Sequence, residues 1–286
     1  MRILVTGANG QLGNCIRDAA QQHPELDFHF ADKRIIDIDN ATSVKQFFEN
    51  NKFDYCINTA AYTNVEKAES HKEEAFLTNA EGAKHMAQAC ANSNATLIHI
   101  STDYVFDGKK DTPYKENDKV NPINVYGNSK LKGEQYIRDI CDRYFIFRTS
   151  WLYSQYGHNF LNSMLRYAGE QRDLNITTEQ SGTPTNANDL AGAIIATIIS
   201  RNENYGVYHF SNKGNATWYD FAKSIFTFSN QLENVKLEKT KHYRTFAERP
   251  SYSILDKTKF TNNFTYPLVD WQKSLKKIIE DHKNPK

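Results

Sequence analysis

Through its first half the chain alternates short apolar runs with longer helical patterns. ILVT (3–6), LDFHFA (26–31), YCINTA (55–60), TLIHIS (96–101) and YFIFRTS (144–150) have the length and composition of buried strands. Helical patterns fill 11–22, 42–50, 71–92 and 124–141, and Asp37-Ile-Asp-Asn-Ala-Thr supplies capping side chains ahead of the second. Such alternation predicts parallel strands joined by crossover helices, an α/β fold with a doubly wound, Rossmann-type sheet covered on both faces. Burial on both faces explains why the strands are continuous apolar runs.

After about residue 150 the texture changes. Segments 151–160 and 178–188 are rich in Tyr, Gly, Asn, Thr and Pro and read as loops around a helix at 159–170. Helices are expected at 189–200, 217–228 and 270–282, with a strand near 207–210. The division expected is a nucleotide-binding domain over 1–150, with part of 186–210 packing back onto it, and a smaller substrate domain over 151–286.

With 35 Lys+Arg against 34 Asp+Glu in 286 residues, the balance lacks the clustered basic excess that nucleic acid or an anionic membrane surface requires. No apolar stretch nears the ~18 residues that span a bilayer. The opening MRILVTGANG turns into a glycine loop where a signal peptide would continue its apolar region of about 7–15 residues. Cys15, Cys56, Cys90 and Cys141 form no C-x-x-C pair, so ordinary reduced thiols in a cytoplasmic protein are expected, with no metal site.

Gly7-Ala-Asn-Gly10-Gln-Leu-Gly13 follows the first strand and opens the first helix. Glycines there permit a tight turn and close backbone approach to a pyrophosphate, which the helix N-terminus favours. The second strand leads into Asp32, whose carboxylate can hold ribose hydroxyls. Lys33 and Arg34 follow at once and can instead receive a 2′-phosphate, so NADH and NADPH both remain open.

Tyr126 and Lys130 stand four apart on one helix face. A nearby cation favours phenolate, and moving the phenol from ~10 to ~7 needs about 4 kcal/mol. Tyr219 and Lys223 repeat the spacing, so context must separate the pairs. Only the first pair follows a strand ending in Ser101-Thr-Asp-Tyr-Val-Phe-Asp-Gly108, where Thr102 can hydrogen-bond a substrate carbonyl at the carboxyl end of the sheet. Tyr219 and Lys223 read as a packing and solvated helix pair.

VTGANGQLG (5–13), AAYTNVEKAE (60–69), STDYVFDG (101–108), NVYGNSKLKGE (124–134), FRTSWLY (147–153), GTPT (182–185) and ERP (248–250) together resemble the dTDP-4-dehydrorhamnose reductases, extended short-chain dehydrogenase/reductases, over nearly the whole chain. The resemblance implies NADPH- or NADH-dependent reduction of the 4-keto group of dTDP-6-deoxy-L-lyxo-4-hexulose to dTDP-L-rhamnose. It implies that Gly10, Gln11 and Leu12 face the pyrophosphate, and that Asp32, Asp37 and Ile38 surround the adenosine. Ala61, Tyr62, Thr63 and Ile100 would line the cofactor further along. Tyr126 would be the proton donor, with Lys130 holding the nicotinamide ribose and Thr102 completing a triad. Asp103 and Trp151 would contact the sugar nucleotide, and Arg249 would pair with its diphosphate.

Plainer readings stand beside these. Trp151 can be core, and Asn79 can either hold catalytic geometry or satisfy a neighbouring backbone group. Some family members use acidic residues for a magnesium-linked dimer; Asn14-Cys15 and Asn186-Ala-Asn188 lack those carboxylates, so no metal is expected and the chain is read as monomer or homodimer. Another nucleotide-sugar reductase/epimerase or a dehydratase, or a non-catalytic NADP-binding regulatory subunit, is the alternative function. A dehydratase usually carries an Asp-Glu pair after the strand-end Thr, whereas Asp103-Tyr104 follows here.

Overall fold

The computed structural model describes residues 1–241 and 245–283. The five apolar runs form β1 (Arg2–Thr6), β2 (Asp27–Ala31), β3 (Tyr55–Asn58), β4 (Thr96–Thr102) and β5 (Tyr144–Thr149). The strands that follow are β6 (Leu152–Tyr153), β7 (Leu174–Thr177), β8 (Ser181–Gly182), β9 (Thr185–Asn186), β10 (Gly206–His209), β11 (Ala216–Thr217) and β12 (Leu237–Thr240). The main sheet is six-stranded, in the order β10-β5-β4-β3-β1-β2, and every pairing in it is parallel. Because β1 lies between β2 and β3, the chain leaves it in opposite directions, and a crevice opens at the carboxyl ends of these strands.

Alternation along β1 sends Ile3 and Val5 to one face and Leu4 to the other. Ile3 and Val5 pack with Phe145 and Phe147 under α1 (Gln11–Ala20) and the apolar face of α8 (Ala187–Ser200), including Ile194 and Ile198. Leu4, Cys56 and Leu97 pack under α2 (Ala41–Asn50) and α5 (Gly82–Ser93), against Val44, Phe48 and Met86. The segment 186–210 thus contributes both a covering helix and the edge strand β10 to the first-half sheet. A third core, with Tyr153, Met164, Phe221, Ile225 and Leu275, joins α7 (Phe160–Gly169), α9 (Trp218–Ser229) and α11 (Trp271–Lys283).

Three features depart from the sequence pattern. The helix expected over 71–92 is divided into α4 (Lys72–Phe76), a π-helical turn at Leu77–Glu81, and α5. A short α3 (Val65–Ala68) and α10 (Thr258–Asn263) add helical turns where none were expected. Strands β7 and β12 pair in parallel although distant in sequence. Among the described residues no helix is long and apolar enough to cross a membrane.

Candidate active site

The crevice begins at the loop after β1. Gly7 adopts φ +65°, and a Cβ there would fall 2.6 Å from the Ala60 nitrogen, so only glycine lets β1 and β3 close up at this end. Gly10 caps α1 in extended conformation without a side-chain bond, and no acidic residue occupies the first turn. The free N–H groups and the positive end of the helix are thereby left for an anion, as a dinucleotide pyrophosphate requires. Leu12 is buried in the core and Gln11 Oε1 accepts from Asn159 Nδ2 at 2.8 Å, so both side chains are engaged within the protein. Gly13 sits where a Cβ would meet the Ala8 carbonyl at 2.7 Å.

A cleft of about 530 Å³ brings together Gly7, Gly10, Asp32, Asp37, Ile38, Ala61 and Tyr62, residues expected from sequence at the cofactor. Asp32 accepts from Asn9 Nδ2 at 3.0 Å and from the Arg34 guanidinium at 2.5 and 3.0 Å. Chiefly through its bonds to Arg34, the Asp32 carboxyl is held down at about 2. Lys33 turns to Asp39 at 2.7 Å. Ile38 packs against α5 while lining the cleft, Thr63 is exposed beyond it, and Ile100 is half-buried on β4. A larger cavity, about 1040 Å³, lies elsewhere, between α2 and α5 beside Lys45 and Asp54, and none of the expected site residues line it.

The three residues expected to do chemistry meet at the end of β4. Helix α6 (Val125–Ile140) carries Tyr126 and Lys130 one turn apart and is capped by Asn124, whose Oδ1 accepts from Gly127 N at 2.7 Å. The Thr102 side chain sits near enough to the Tyr126 phenol to oppose its upward shift, and its hydroxyl donates to Asp103 Oδ1 at 3.1 Å. Lys130 is buried, with Nζ 3.2 Å from His99 Nε2 on β4. Burial pushes the Tyr126 phenol up to about 12, the Asp103 charge adding to it, and pushes the Asp103 carboxyl itself up to about 7. The phenol lowering expected from Lys130 is therefore not seen. Desolvation outweighs it, and draws Lys130 down to about 8.

Around this centre the structure resolves what the pattern left open. Asn79, in the π-helical turn, holds the Tyr62 backbone and reaches Ser129 Oγ at 3.0 Å, joining the loop after β3 to α6. Arg249 pairs with Glu66 Oε1 at 2.5 Å and opposes the upward shift of the buried Tyr104 phenol, whose ring lies edge-on to Tyr126. Asn124 Nδ2 donates to the Glu248 carbonyl at 2.7 Å, so the cap of α6 also anchors the Arg249 segment. Trp151, at φ +45°, stacks on Trp218 with ring centroids 3.8 Å apart, and Gly182 packs so close that a Cβ would fall 2.6 Å from Trp151 Cε2. One face of Trp151 is thus taken by Trp218, which limits the stacking available to a sugar. Tyr219 and Lys223 lie away from this centre, on α9.

Glu66, Trp218, Asn58 and His99 were not singled out from sequence. For His99 a signal existed, since one ionisable residue interrupts the apolar run TLIHIS. Among the described residues no group of three His, Cys, Asp or Glu side chains could hold a metal ion.

The RmlD substrate binding domain family matches residues 1–284. The dTDP-4-dehydrorhamnose reductase of Aggregatibacter actinomycetemcomitans is 38% identical, over 97% of this chain and 98% of that protein. The crystal structure of a dTDP-4-dehydrorhamnose reductase from Clostridium acetobutylicum has a TM-score of 0.92 at 37% identity, covering 99% of this chain and 100% of that one. The dTDP-4-dehydrorhamnose reductase of Bacillus anthracis, solved in complex with NADP, also has a TM-score of 0.92, at 38% identity, covering 98% of this chain and 99% of that one. With a family match over nearly all its residues and relatives of this similarity, the chain belongs to the dTDP-4-dehydrorhamnose reductase family.

Proposed function

We propose that this chain reduces the 4-keto group of dTDP-6-deoxy-L-lyxo-4-hexulose to dTDP-L-rhamnose with NADPH or NADH. The observation that carries the reading is the meeting of Thr102, Tyr126 and Lys130 beside a glycine-lined anion cradle, in a chain 38% identical to a reductase solved with NADP. The cradle fits a dinucleotide, because α1 opens at Gly10 with no side-chain cap and no acidic residue in its first turn, leaving N–H groups for the pyrophosphate. When bound, the cofactor supplies hydride to C4 of the sugar.

The chain's own residues manage the proton. Tyr126, held neutral by its burial, donates to the C4 oxygen as charge develops there. Thr102 fixes the phenol and is itself oriented by Asp103. Lys130 holds the nicotinamide ribose, while Asp32, Asp37, Ile38, Ala61, Tyr62, Thr63 and Ile100 enclose the rest of the dinucleotide. Asp103, Trp151 and Arg249 contact the dTDP-sugar; Arg249 exchanges Glu66 for the diphosphate. The reading includes two units, a cofactor domain over 1–150 joined by part of 186–210 and a substrate domain over the rest of 151–286. It also includes a cytoplasmic location, a monomer or homodimer, and no nucleic-acid partner.

The test is oxidation of NADPH and NADH with enzymatically generated dTDP-6-deoxy-L-lyxo-4-hexulose. Substrate-dependent oxidation is expected. Tyr126→Phe should cut turnover by about 10²-fold or more while cofactor affinity stays near that of the parent. No oxidation by the parent protein, or full activity in Tyr126→Phe, would overturn the proposal.

A further inference from the structure

A row of polar side chains crosses the sheet beneath α6. Thr6 of β1 is in register with Asn58 of β3, and Asn58 with His99 of β4. Thr6 Oγ1 donates to Asn58 Oδ1 at 2.7 Å, and the Ala60 N–H donates to the same oxygen at 3.2 Å. Asn58 Nδ2 lies 3.2 Å from His99 Nδ1, and His99 Nε2 lies 3.2 Å from Lys130 Nζ. Thr6, Asn58, His99 and Lys130 are each no more than 2% exposed, so none of these groups can turn to water instead.

Hydrogen-bond valence settles the direction of the row. A backbone N–H only donates, so the amide oxygen of Asn58 faces Ala60 and Thr6, and its NH₂ faces His99. Nδ1 of His99 is then an acceptor. The ring is neutral, since burial holds it well below the usual histidine range, and a neutral imidazole with an accepting Nδ1 carries its proton on Nε2. That N–H points at Nζ. An ammonium has only donors to offer it, whereas a neutral amine presents a lone pair.

We infer that His99 is a positioning residue of the reductase site, locked by Asn58 as the Nε2–H tautomer so that it donates to Lys130 and biases this lysine toward the neutral amine. The inference rests on the reading of Lys130 given above. The row is closed at both ends by burial, so it tunes the lysine and does not conduct protons from solvent.

Burial of Lys130 acts in the same direction, and Glu134 on the same helix face opposes it. Glu134 is held bidentately by Arg148 of β5, at 2.7 and 2.9 Å, which blunts that opposition. Asp103, beyond the end of β4, is the other buried acid near this part of α6. On the outer layer, Glu81 pairs with Lys84 and Glu66 with Arg249, while Glu73 and Glu74 are exposed. Lys130 is therefore a conditional cation. Acceptors such as ribose hydroxyls arriving in front of it would strengthen its charged form.

Two measurements on the full-length protein test this. In protein labelled with 15N-histidine, with the His99 signals identified by their loss in His99→Gln, the ring nitrogens should show Nε2 protonated and Nδ1 not. Protonation at Nδ1 would overturn the inference whether or not the protein turns over. In the reductase assay, the alkaline limb of kcat/KM should move up by about one pH unit in His99→Gln, whose amide oxygen can accept from the ammonium. Asn58→Asp should move it the same way, because its carboxylate accepts from Nδ1–H and leaves the Nε2 lone pair to Lys130. A limb that stays in place in an active, folded His99→Gln would also overturn it. Absence of turnover in the parent protein would instead count against the proposed function, and the tautomer would still decide the inference.

Discussion

Asn79 grips Tyr62 by both of its backbone polar groups, Oδ1 accepting from the N–H at 2.9 Å and Nδ2 donating to the carbonyl at 2.9 Å. The π-helical turn at Leu77–Glu81 is what brings this one side chain to face the loop after β3. Tyr62 lines the cleft beside Gly7 and Asp32, so the clamp fixes a wall of that cleft as well as satisfying part-buried groups. Asn79→Ala should lose about 3 kcal/mol in urea unfolding, because a part-buried N–H and C=O lose their partner. Its affinity for NADPH should also fall severalfold in a direct titration. Loss of stability with unchanged cofactor affinity would show the clamp to be structural alone.

At the far end of that cleft, Arg34 folds back on Asp32, although its side chain is 89% exposed and free to turn. A 2′-phosphate would draw the guanidinium away from the carboxylate, and a ribose hydroxyl would leave the pair to share its hydrogen bonds. Arg34→Ala should weaken NADPH binding about tenfold, while NADH binding holds or improves. Parallel titrations with the two dinucleotides check this. Equal loss for both would assign the 2′-phosphate to Lys33 or to neither cation.

The strands were legible from sequence because two-sided burial leaves an uninterrupted apolar run, as at Ile3–Val5 and Phe145–Phe147. The i,i+4 spacing of Tyr126 and Lys130 likewise showed that they share a helix face. It could not show that Lys130 is buried and that the half-buried Tyr126 has its phenol desolvated, and desolvation is what reverses the expected shift of the phenol. The π-helical turn was hidden because the segments on either side of Leu77–Glu81 each keep helical spacing, and that spacing does not show where the extra residue falls. Strand β7 pairs with β12, and Trp151 with Trp218, across long stretches of chain, and neither partner marks the other locally.

Asp103 shows how this site trades stability for its geometry. The carboxyl is buried, and desolvation raises it from 3.8 to about 7 against the opposing effect of Ser253 and Thr102. In the unfolded chain the group ionises near its ordinary value, so the folded state binds the extra proton between those two points. The contribution to stability is therefore full below the unfolded value and lost as pH rises toward 7, after which the penalty is constant. Asp103→Asn keeps the oxygen that accepts from Thr102 and removes the titration. The variant should gain melting temperature over the parent, little near pH 4 and most above pH 7, with the difference approaching about 4 kcal/mol at its upper limit. Thermal unfolding of both proteins across that range decides the matter. A gap that does not change with pH would mean that Asp103 is not the buried acid whose ionisation opposes folding here.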